Sequence, residues 1–64
     1  MIEFEQFKEL IAEIQSQGYD AATASRYAAR IGDRPGYDLQ GNIVVRDEND
    51  RILARLRPLK FYED

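Results

Sequence analysis

The sequence predicts an α+β fold: an N-terminal α-hairpin of two helices packed on a C-terminal antiparallel β-meander of two or three strands. Three observations carry that prediction. Apolar residues recur at helical spacing through the first half, in "EFEQFKELIAEIQSQG" and "AATASRYAARI". Glycine and aspartate punctuate the join between those stretches. From Asn42 onward the pattern changes to β-type runs, "NIVVRD" and "RILARLRPL", around the polar "ENDR".

The first helix is expected over about 3–17. Phe4, Phe7, Leu10, Ile11 and Ile14 share one stripe, while Glu, Lys and Gln fill the other face. Glu3 and Glu5 suit the positive end of the helix dipole. Gly18 fits the residue just past the end, where a left-handed backbone is common. Asp20 then reads as the N-cap of a second helix over about 21–31, because its carboxylate can accept the open N–H groups of the next turn. Ala24, Tyr27, Ala28 and Ile31 form its apolar stripe, and Arg26 and Arg30 lie on another side. Gly32 ends it, with Asp33 and Pro35 preventing continuation. Two helices so closely joined form an αα-hairpin.

Strands are expected over about 37–39, 43–47 and 52–57. The first connects to the second through a turn at Gln40, Gly41 and Asn42. For the 43–47 and 52–57 pair, a two-residue turn sets Ile43, Val45, Ile52, Ala54 and Leu56 on one face. Val44, Arg46, Leu53, Arg55 and Arg57 then occupy the other. A three-residue turn would set Arg55 beside Ile43 on the core face, so it is disfavoured. Pro58 cannot donate to a ladder and ends the pairing.

The 64 residues form one small domain, 1–64, with 44% apolar and 33% charged residues, a balance suited to folding. Such a chain buries only ~60% of the surface its unfolded form exposes, so its stability is marginal. It contains no Cys and no His, which excludes disulfides and thiolate or imidazole metal sites. No apolar run approaches the roughly 20 residues of a bilayer span. The acidic "MIEFEQ" does not read as a secretory signal, so a cytoplasmic location is expected and no membrane partner.

Several motifs invite a functional reading and lose it on inspection. "TASRYAARIG" looks like the recognition helix of a helix-turn-helix, but Glu13 and Gln17 stand where that motif is usually apolar. The acidic first helix would also face phosphate. "DEND" superficially resembles a calcium loop, yet the sixth position is Ile52 rather than glycine, and a hairpin turn accounts for it. Glu9 and Glu13, four apart, read as a solvated helix face. Ser16 and Ser25 have no histidine to act as base. These features predict no enzyme, no cofactor and no metal.

The positive charges give the best lead. The formal net charge is −3, yet Arg51, Arg55, Arg57 and Lys60 fall within ten residues that hold no acid. Strand alternation puts Arg55 and Arg57 on one side, with Arg46 across from them and Val44 and Leu53 among them. Guanidinium groups bind carboxylates and phosphates in bidentate fashion, and Arg mixed with aliphatics has the composition of interface cores. Phe61 and Tyr62 extend this face if one of them points outward. The predicted function is therefore a protein–protein interaction module binding through Val44, Arg46, Leu53, Arg55, Arg57 and Tyr62, with homodimerisation through the open sheet as one form of it. The alternative is nucleic-acid binding through the same arginines or through Arg26 and Arg30.

Overall fold

The computed structural model describes residues 2–63. Two helices precede a three-stranded antiparallel sheet, the predicted α+β arrangement. Helix α1 spans Phe4–Ser16 and helix α2 spans Ala21–Ile31. The strands are β1 Gly36–Tyr37, β2 Ile43–Arg46 and β3 Ile52–Leu56, in the spatial order β1-β2-β3. A single 3-10 turn, Lys60–Tyr62, follows. No helix among the described residues is long and apolar enough to cross a membrane.

The helix boundaries follow local chemistry. The Gln6 side chain accepts the Glu3 N–H at 3.2 Å, satisfying a donor at the start of α1. Gly18 has φ 107° and closes that helix. The Asp20 carboxylate accepts the Thr23 N–H at 2.8 Å, which starts α2 and holds the Asp20 pKa below its ordinary value. Gly32, at φ 61°, ends it while donating to the Ala28 carbonyl.

Leu10, Ile14, Ala24, Ala28, Ile31, Ile43, Val45, Leu56 and Leu59 form the buried core. The α1 stripe is narrower than its sequence suggests: Phe7 and Ile11 are half-buried and Phe4 is 72% exposed. Alanines on α2 let the helices approach closely, and α2 lies against β2.

Both hairpin turns are built the same way. In each, an Asp side-chain oxygen accepts the N–H groups two and four residues on. Asp38 takes Gln40 and Asn42, each at 2.9 Å, and Asp47 takes Asn49 at 2.8 Å and Arg51 at 2.9 Å. In each, the Asp N–H also donates to the carbonyl four residues on, at 2.9 Å. The fourth residue has positive φ, 86° at Gly41 and 64° at Asp50. These are three-residue loops whose last residue is left-handed. The first one draws Asp38 and Leu39 out of the predicted strand, so β1 is Gly36–Tyr37 rather than 37–39.

The second one overturns the expected two-residue turn. Its extra residue is compensated by a bulge: Arg46 pairs with Ile52, whereas Val45 pairs with Ala54, Val44 with Arg55 and Ile43 with Leu56. The bulge keeps Arg55 off the core face. It also moves Ile52 out of the core, beside Arg46, where it is 41% exposed. Opposed residues share a side of the sheet, so Ile43, Val45, Ala54 and Leu56 face the helices.

Candidate functional site: the uncovered face of the sheet

The side of the sheet turned away from the helices carries Gly36, Val44, Arg46, Ile52 and Arg55. The pairs Gly36–Val44, Val44–Arg55 and Arg46–Ile52 place them there. Val44 is half-buried at the centre of this patch, next to a glycine that presents no side chain. Of the residues read from the sequence as a binding face, Val44, Arg46 and Arg55 are thus brought together.

Both arginines are anchored. Arg46 donates to the Asp50 carbonyl at 2.9 Å and lies 3.7 Å from its carboxylate. Arg55 lies 3.4 Å from the Asp38 carboxylate, whose side chain is only 14% exposed. Burial pushes the Asp38 carboxyl upward. The Asn42 backbone and side-chain donors, the Gln40 N–H and the Arg55 guanidinium outweigh it, leaving its pKa below the usual carboxylate value. Arg55 therefore buttresses the first hairpin turn as well as lining the patch.

The other three predicted residues lie elsewhere. Leu53, the residue next to Ile52 at the bulge, lines a cavity of about 380 Å³ with Arg26, Tyr27 and Arg30 of α2 and with Asp47 and Glu48. An Arg30–Glu48 pair at 2.6 Å stands beside it. Arg57 lies just past the end of β3, where the Gln17 side chain bridges its backbone: Arg57 N–H to Gln17 Oε1 and Gln17 Nε2 to the Arg57 carbonyl, both 2.9 Å. Tyr62 is half-buried on the far side of the core. Its hydroxyl donates to the Gly32 carbonyl, and its ring meets Phe61 edge-on at 5.0 Å. Phe61 and Tyr62 both pack against the core, so neither extends the sheet patch.

Sequence reasoning missed Ile52 and Asp38. The available signal was the shared spacing of "DLQGN" and "DENDR", Asp followed three residues later by Gly or Asp. That spacing announces a left-handed fourth position in each turn. It also missed what Glu13 does: its carboxylate oxygens accept the Lys60 and Phe61 N–H groups, each at 2.8 Å. Glu13 and Gln17, the two residues that break the helix-turn-helix pattern, hold the C-terminal segment onto α1.

No family model matches this chain, no curated protein shows significant similarity to it, and no solved structure matches it significantly.

Proposed function

We propose that this chain is a non-catalytic protein-binding module acting in the cytoplasm, and that it engages a protein partner through the uncovered face of its sheet. The observation that supports this most directly is the patch itself, in which Val44 and exposed Ile52 lie between two arginines held in place by Asp38 and Asp50. An aliphatic centre rimmed by guanidinium groups fits a surface carrying apolar side chains and carboxylates. The sequence offers no His and no Cys for general-base or thiolate chemistry, which favours binding over catalysis.

The test uses Ile52→Lys, since Ile52 lies outside the buried core. The immobilised chain is exposed to lysate of its own cell with and without nuclease treatment, captured proteins are identified, and binding is remeasured with the purified partner. Ile52→Lys should keep the native circular dichroism spectrum and weaken that binding more than about tenfold, roughly 1.4 kcal/mol. Equal affinity for the variant, or captured material that vanishes with nuclease, overturns the proposal.

A further inference from the structure

We propose that the free edge of β3 accepts an extended, acidic segment of a partner protein as a fourth strand. This deepens the protein-binding reading above and rests on it. β3 is the last strand of the sheet, so backbone groups on its outer side are available for pairing.

At Arg57 the line of β3 already meets a carboxamide. One primary amide, from Gln17, both donates to the Arg57 carbonyl and accepts its N–H, as a residue of a neighbouring strand would. Arg55 stands two residues earlier, and the strand period of two aims its N–H and C=O toward the same edge. Gln17 thus marks where an added strand would end.

Charge selects the occupant. Arg51, Arg57 and Lys60 take part in no ion pair among the described residues, and no acid lies between Arg51 and Lys60. A second copy fits poorly. Antiparallel pairing of β3 with itself about Ala54 sets Arg51 opposite Arg57 and stacks like charges. A strand bearing Asp or Glu meets the opposite situation. Its side chains would alternate between the patch at Ile52 and the cavity wall at Leu53, 48% exposed, so aliphatic residues also find contacts.

The experiment is selection of a random twelve-residue display library on the immobilised chain of residues 1–64. Selected sequences are synthesised and measured by fluorescence anisotropy. Enrichment of Asp and Glu among β-forming residues is expected. N-methylation of alternate peptide amides should weaken binding at least tenfold, and so should Arg51→Glu with Arg57→Glu. Arg51→Gln with Arg57→Gln gives a milder loss in the same direction should the reversal unfold the chain. Selection without acidic bias, indifference to N-methylation, a twenty-nucleotide single strand bound more tightly than any peptide, or a β3-mediated dimer in sedimentation each overturns the inference. A protein partner lost with Ile52→Lys alongside any of the first two results leaves the general reading standing. Failure of protein capture removes both.

Discussion

At the scale of single residues, the positive-φ position of each turn sets a simple expectation. A Cβ on Gly41 would meet open space, so any cost of substitution there comes from backbone conformation alone. Gly41→Ala should therefore destabilise by about 1 kcal/mol, while Gly41→Asn should cost about half that, since Asn tolerates this region. Urea denaturation of the two variants checks the order, and Asp50 in the sister turn is the precedent for a short polar side chain there. Tyr62 offers a second test. Burial pushes its phenol up to about 12, helped by nearby Tyr37, Asp33 and Glu13. A pKa raised from 10.0 in the unfolded chain means Tyr62 contributes stability in full below pH 10.0 and loses it as pH climbs toward about 12. Tyr62→Phe should be less stable at neutral pH, by about 0.5–1.5 kcal/mol for the lost hydrogen bond to Gly32. It should also show a flatter alkaline decline, read by denaturation at a series of pH values.

At the scale of elements, the helices were legible and the sheet only partly so. Helix signals are local: the stripe through Leu10 and Ile14, the Asp20 cap and the glycines each act within a turn or two. The bulge is not local. It arises because a left-handed Asp50 demands a three-residue loop while the core demands Val45 opposite Ala54, and one inserted residue satisfies both. The patch inherited that error: Ile52 moves from the expected core to the uncovered face, and Leu53 leaves that face for the cavity beside α2 without entering the core. The Glu13–Gln17 clamp was also invisible, because its hydrogen bonds join residues 40 to 48 apart in sequence. Gln17→Ala should cost about 1 kcal/mol and Glu13→Ala about 1.5–3 kcal/mol, since the latter removes bonds to a charged group. The double variant should lose less than the sum, because both residues hold one segment. Equilibrium denaturation measures all three.

For the whole molecule, the radius of gyration is 10.8 Å. A compact chain of this length should have about 10.7 Å, so helices and sheet share one core. That core draws on α1, α2, β2, β3 and Leu59, and among the described residues its buried side chains number nine, two of them alanine. No disulfide reinforces it. Polar devices add to the specification of so small a body: two Asp-centred turns, a side-chain bond at the start of each helix and one clamp. They fix the sheet with one side against the helices and leave the other available. Arg55 belongs to both tasks, bracing Asp38 inside the turn while lining the exposed side. Binding tests are for that reason aimed at Ile52, Arg51 and Arg57, where a change of surface does not remove a turn contact.

The clamp also bears on how the chain is made. Glu13 is polymerised 47 and 48 residues ahead of the amides it will accept. At about 5–20 residues per second that is a wait of roughly 2–10 s. Until the C-terminal segment is in place, the helical pair presents a carboxylate and a carboxamide where it will later lie. A bare apolar surface there would be free to find a neighbour on the same polysome. Glu13 and Gln17 leave that ground hydrated until the segment docks, so the polarity that looked misplaced in the sequence is also what an incompletely folded chain shows its neighbours.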